Sequence, residues 1–146
     1  MQVMQILKDK GADVMTMSAD ETLADAANIL RERRIGAVVV VGPRGELQGI
    51  LSERDVVRAV GTHGAAALAM KVSSLMTDAG MVRTCKLNDH PHDVMGAMTK
   101  GGFRHMPVVE NNKLEGLVSS TDIFRYLTEQ ANPQEQALLW SKISWV

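Results

Sequence analysis

Residues 46–58 read ELQGILSERDVVR and residues 113–125 read KLEGLVSSTDIFR. Placed 67 positions apart, the two stretches share Leu47/Leu114, Gly49/Gly116, Ser52/Ser119, Asp55/Asp122 and Arg58/Arg125. Between the identities, like replaces like: Ile50/Leu117, Leu51/Val118, Val56/Ile123 and Val57/Phe124. The match runs upstream at an offset of 68, where Val14/Val82, Thr16/Thr84, Asp25/Asp93, Leu30/Met98 and Ile35/Phe103 keep their character. The offset changes in a loop, because GPRG in the first copy is one residue longer than ENN in the second. A chain of 146 residues that repeats itself over about half its length is expected to build two similar units that share a buried face.

Each copy follows one local order, β-α-β-β-α. Residues 14–17, VMTM, open the first copy as a short strand. Ser18 or Asp20 is an N-cap candidate for the helix that follows, on which Leu23, Ala26, Ala27 and Leu30 form one apolar face. In the second copy Asn88 and Asp89 precede Pro91, a residue suited to a helix's first turn, and Val94, Ala97 and Met98 make the stripe. AVVVV (37–41) is too short for a helix and reads as a buried strand. Its counterpart HMPVV (105–109) contains Pro107, which predicts an edge or an irregularity there. GPRGE turns the chain, LQGILS returns as a strand, and Ser52 opens the next helix. The boundaries read as repeat one over 1–62, a linker over 63–80 with short helical turns, repeat two over 81–130, and a helical tail over 131–146 that starts at Asn132-Pro133.

Composition narrows the function. Net charge is −1, which argues against a nucleic-acid footprint. Hydrophobic residues make up 45% but aromatics only 3%, so ten Met and the aliphatics must fill the core. The single Cys85 excludes an internal disulfide and a Cys-only metal site. No apolar run approaches the ~20 residues that span a bilayer, so no membrane partner is expected. The start, MQVMQILKDKG, lacks signal-peptide character, so a cytoplasmic protein is the expectation.

Ser52-x-x-Asp55 and Ser119-x-x-Asp122 are the only polar pairs repeated at one spacing. A Ser with an acid three residues later, where strand gives way to helix, is the pattern of a capping box. The same place is a helix N-terminus able to receive an anion, beside a carboxylate able to accept two hydrogen bonds from a vicinal diol such as ribose. Capping and ligand binding are therefore both open. The histidines suggest no metal centre: His90-Pro-His92 reads as a helix start, and no metal is expected.

RIGAVVVVGPRGELQGILSERDVVRAV and FRHMPVVENNKLEGLVSSTDIFRYL together closely resemble the tandem cystathionine-β-synthase (CBS) domain pair, in its stand-alone bacterial form. The resemblance covers roughly residues 1–130, nearly the whole chain, so no catalytic domain is expected beside it. It implies an α/β fold of two β-α-β-β-α repeats packed sheet to sheet about a pseudo-two-fold axis, with clefts for adenosine-containing ligands. AMP ranks first, with ADP, ATP, NAD(H) or S-adenosylmethionine as alternatives. Carried over by position, one cleft takes Ser119, Asp122, Arg104 and His105, with Val14, Met15, Met17, Ile35 and Gly36 walling the adenine. The other takes Ser52, Asp55, Gly36 and Ala37, with Val82, Arg83 and Cys85 as wall and Arg54 as a further charge. The Asp122 site ranks first, because Arg104-His105 offers donors to phosphate where Gly36-Ala37 offers only backbone.

The implied role is a sensor that binds an adenine nucleotide and regulates an unidentified protein, without catalysis of its own. A structural dimerisation module with empty clefts is the alternative, and an enzyme acting on nucleotides ranks below both. The apolar helix faces bearing Leu23, Val57, Val94, Ile123 and Phe124 predict a homodimer. Leu138, Leu139, Trp140 and Trp145 in the tail are expected either to anchor that interface or to fold back on their own subunit.

Overall fold

The computed structural model describes residues 2–11, 13–129 and 132–142, the Leu139 side chain excepted. Trp145 therefore lies outside the described residues. The chain forms two compact units. The first is continuous, Val14–Val82, and the second joins Met1–Asp13 to Arg83–Val146.

The first unit is built on a four-stranded sheet. Strands β1 (Thr16–Ser18), β2 (Ala37–Val41), β3 (Leu47–Ser52) and β4 (Thr77–Asp78) lie side by side in that order. β1 runs parallel to β2, and the other pairs are antiparallel. The β-branched run of β2 is central, and Ala37, Val38, Val39 and Val40 are all buried. Helices α2 (Leu23–Arg33) and α3 (Glu53–His63) complete the unit. Leu23, Ala26 and Leu30 of α2 meet Val38, Val40 and Leu51 of the sheet in the core, as the helical periodicity predicts.

The cap of α2 differs from expectation. Thr22, not Ser18 or Asp20, holds the helix start: its Oγ1 accepts from Asp25 N (3.2 Å) and its N–H donates to Asp25 Oδ2 (3.0 Å). Ser18 instead closes a small turn, its hydroxyl accepting from Asp20 N. The linker GAAALA and VSS both form 3₁₀ turns, over Gly64–Ala69 and Val72–Ser74.

The second unit centres on the hairpin β5 (His105–Glu110) and β6 (Lys113–Ser119). Asn111 and Asn112 turn it at φ 50° and 63°, the left-handed pair that suits a two-residue hairpin loop. Pro107 costs the hairpin nothing. Its carbonyl accepts from Cys85 N (3.0 Å) and Val109 N donates back to Cys85 O (2.9 Å), so this edge of β5 faces Cys85 and not β6. Pro107 therefore lacks a donor only where a single Cys85–Val108 bridge replaces a full counterpart of β1. The irregularity sits two residues on, between Val108 and Val109.

Two helices and an unexpected third pack on this hairpin, and a further helix covers the first two. α4 (Pro91–Gly101) starts at Pro91 as expected, but His90 is its cap, with Nδ1 accepting from His92 N (3.4 Å). α5 (Ser120–Glu129) follows β6. α6 (Pro133–Lys142) lies against α4 and α5, so the described part of the tail folds back on its own subunit. Phe124 meets Trp140 at 6.0 Å between ring centroids, and the Tyr126 hydroxyl donates to Glu135.

The unexpected helix, α1 (Val3–Lys10), contacts β6 and α5. Val3, Ile6 and Leu7 share a core with Met95, Met98, Val108, Val118 and Ile123. α1 thus packs in the compact unit that holds repeat two, while in the sequence it stands at the start of repeat one. The repeated glycine explains part of this arrangement. A Cβ at Gly49 would lie 2.6 Å from Thr77 O, and one at Gly116 would lie 2.8 Å from the Leu7 side chain. The same smooth spot on the returning strand admits β4 in one unit and α1 in the other.

Candidate functional site

Both Ser-x-x-Asp pairs are capping boxes. In the first unit Ser52 N donates to Asp55 Oδ2 (2.8 Å), and Asp55 N donates to Ser52 Oγ (3.3 Å). In the second, Ser119 N donates to Asp122 Oδ2 (2.8 Å) and Asp122 N to Ser119 Oγ (3.2 Å). The strands that precede them correspond as well: Ala37 pairs with Ser52, and His105 with Ser119. Glu53 N donates to Gly36 O (3.0 Å) and Ser120 N to Arg104 O (2.9 Å). Each helix N-terminus is thereby stitched to the residue just before the unit's first hairpin strand.

The capping role does not exhaust either carboxylate. A carboxylate oxygen has two acceptor positions. In both boxes Oδ2 does the capping, and among the described residues no hydrogen bond reaches Oδ1 of Asp55 or Asp122. The chemistry left over is that of a fixed anion at a helix end, suited to O–H donors.

The two sites differ in charge. Asp55 receives a second bond on Oδ2 from its own Ser52 hydroxyl (3.1 Å) and has no cation partner among the described residues. Asp122 is 8% exposed and receives the Lys10 ammonium on Oδ2 at 2.7 Å, with Arg125 3.7 Å from Oδ1. Burial works against its ionisation. The Lys10 hydrogen bond, the Ser119 N–H, the Lys10 charge and the Ser119 hydroxyl together outweigh burial and hold the carboxyl below its ordinary range. Lys10 was not among the residues singled out from the sequence. It lies 112 positions from Asp122 and outside the duplicated window. The one sequence signal is a basic helix end, LKDKG, with no counterpart in the other copy.

Ser119, Asp122, Arg104 and His105 come together in the second unit around the start of α5, with Arg104 exposed. Ser52, Asp55, Gly36, Ala37 and Arg54 come together in the first around the start of α3, with Arg54 exposed. Val14, Met15, Met17, Ile35 and Val82 also lie in the first unit, and Arg83 lies in the second. Met17 (4% exposed) and Cys85 (4%) occupy equivalent positions and are each buried in the core of their own unit. Burial, then the nearby Asp89, push the Cys85 thiol up to about 12. Among the described residues no group of three or more His, Cys, Asp or Glu is placed to hold a metal ion.

The profile of the CBS domain matches the chain twice, over residues 4–62 and 72–129. The chain belongs to the CBS domain family. It is a tandem CBS pair, similar over 86% of its length to the CBS-domain containing protein ATU1752 of Agrobacterium tumefaciens, of which 98% is covered (42% identity, TM-score 0.82). The CBS domain pair of protein MJ0100, solved with 5′-methylthioadenosine and S-adenosyl-L-methionine, is 25% identical (TM-score 0.75, 86% of this chain and 98% of that one). Among curated relatives, the mitochondrial CBS domain-containing protein CBSX3 of Arabidopsis thaliana is 29% identical, over 93% of this chain and 69% of its own length. No helix of the described residues is long and apolar enough to cross a membrane.

Proposed function

We propose that this CBS pair is a sensor of adenosine-containing ligands, with a carboxylate of each repeat as the anchor for the ligand's ribose. The carrying observation is the doubled capping box, which fixes Asp55 and Asp122 at helix N-termini through Oδ2 alone. A ribose presents two adjacent hydroxyls, and an ionised carboxylate accepts both. The helix N–H groups and Arg104 suit the phosphate of AMP, which remains the first-ranked ligand, ahead of ATP, NADH and S-adenosylmethionine. Ligands of this class in the related MJ0100 pair support the reading. Occupancy is passed to a partner protein because the ligand binds one state of the module more tightly than another.

Calorimetry with AMP, ATP, NADH and S-adenosylmethionine tests this. Asp122→Ala and Asp55→Ala should each weaken one binding step by roughly 1.5–3 kcal/mol, the worth of charge-assisted hydrogen bonds. Absence of heat with all four ligands would leave the capping boxes as purely structural and favour the dimerisation module.

A further inference from the structure

Lys10 is the last residue of α1, and Gly11 ends the helix behind it at φ 92°. Its ammonium makes two contacts of 2.7 Å, one to Asp122 Oδ2 and one to the carbonyl of Leu117 on β6. With Ser119 N also on Oδ2, both acceptor positions of that oxygen are taken. Asp55 has the same cap at the start of α3, but the second contact on its Oδ2 comes from the Ser52 hydroxyl (3.1 Å), and no such cation reaches it among the described residues. Arg125 adds charge 3.7 Å from Oδ1 without a hydrogen bond, and leaves Oδ2 to Lys10. A cavity of about 130 Å³, lined by Ile6, Lys10, Asp122, Arg125 and Tyr126 among others, opens beside the pair.

We propose that Lys10 is a tethered gate on the Asp122 site: its ammonium holds the carboxylate that a ligand's diol would take, and the diol binds only when Lys10 leaves. The inference rests on the nucleotide-binding reading above. A diol that bridges both oxygens of Asp122 must exchange with the ammonium on Oδ2, whereas at Asp55 the second contact on that oxygen is the residue's own Ser52 hydroxyl, which only has to turn. That exchange breaks a charge-assisted hydrogen bond and the contact to Leu117 O. The exchange is local. Lys10 is at a helix end, carries a flexible four-carbon stem, and is 28% exposed, so it can swing into water while Val3, Ile6 and Leu7 stay packed. The two repeats then bind with unequal affinity, the Asp55 site filling first and the Asp122 site second. This reverses the order that Arg104 and His105 suggest from sequence.

Adenosine is the clean probe, since it offers a diol and no phosphate to which the displaced ammonium could turn. Titrate it calorimetrically into Asp55→Asn, in which the Asp122 site reports alone, and into Asp55→Asn with Lys10→Met. The double variant should bind about tenfold tighter, the value of one hydrogen bond to a charged group. Lys10→Arg, which keeps the charge, should not show that gain. The single variant Lys10→Met, in which the weaker of two binding steps should tighten, gives the same readout with Asp55 intact. Unchanged or weaker adenosine binding on Lys10→Met, or an equal gain from Lys10→Arg, overturns the gate and leaves the nucleotide reading standing. No adenosine binding in any form of the chain overturns both.

Discussion

His90 caps α4 with an imidazole nitrogen, and such a cap works only while that nitrogen carries no proton. The surroundings favour the neutral form. Burial first, then the neighbouring His92 ring 4.0 Å away, lower its pKa from the ordinary 6.5, against the opposing pull of Glu135 and Asp93. The unfolded chain thus takes up this proton more readily than the folded one. Stability held at neutral pH should fall as pH drops below about 6.5 towards the folded-state value. Urea midpoints from pH 7.5 to 5 should show that decline, and His90→Asn, which keeps a side-chain acceptor without the titration, should flatten it. Cys85 offers a second test at this scale. With its thiol at about 12 and its side chain buried, it should resist an aromatic disulfide reagent at pH 8 and react promptly in denaturant. Prompt reaction of the native protein would place Cys85 outside the core.

At the level of elements, α6 is a brace on α4 and α5. It contributes the ring contact of Trp140 with Phe124 and the acceptor for the Tyr126 hydroxyl. Removing the chain after Asn132 should cost about 1–3 kcal/mol in chemical denaturation, from a lost aromatic pair and an orphaned buried hydroxyl. Tyr126→Phe should recover part of that loss in the shortened chain. An unchanged midpoint would mean that α6 adds nothing to the unit. The elements also divide by what a sequence can reveal. β2, the stripe of α2 and the Pro91 start were legible, because periodicity and proline act over a few neighbouring residues. The caps were not: Ser18, Asp20 and Thr22 all have the right chemistry, and only the backbone decides that Thr22 faces Asp25 N. The two-residue strand β4 is too short for a pattern. Both capping boxes could be read from Ser-x-x-Asp. The pairing of Lys10 with Asp122 could not, since it depends on where a helix from the far end of the chain comes to rest.

For the molecule as a whole, the exposed apolar side chains predict self-association. Val57 and Val60 on α3 are 72% and 44% exposed. Phe124, the counterpart of Val57, is instead covered by Trp140. A second copy of the chain is the natural cover for the bare face. Light scattering over a dilution series should give about twice 15.9 kDa, and Val57→Glu should shift the mass towards the monomer. The shortening after Asn132 should leave the dimer intact if α3 carries it. A mass that stays near 15.9 kDa at every concentration means there is no dimer. The affiliation of α1 has a consequence of another kind. Residues 14–82 are complete before most of the second unit has been synthesised, so the first unit can fold as the chain leaves the ribosome. Helix α1, made before that unit, has no such opportunity. Its eight residues are too few to stay helical alone, and its partners β6 and α5 follow only after the whole first unit. Helix α1 therefore settles late, and the Lys10–Asp122 pair can close only after residues 14–82 and most of the second unit have been made.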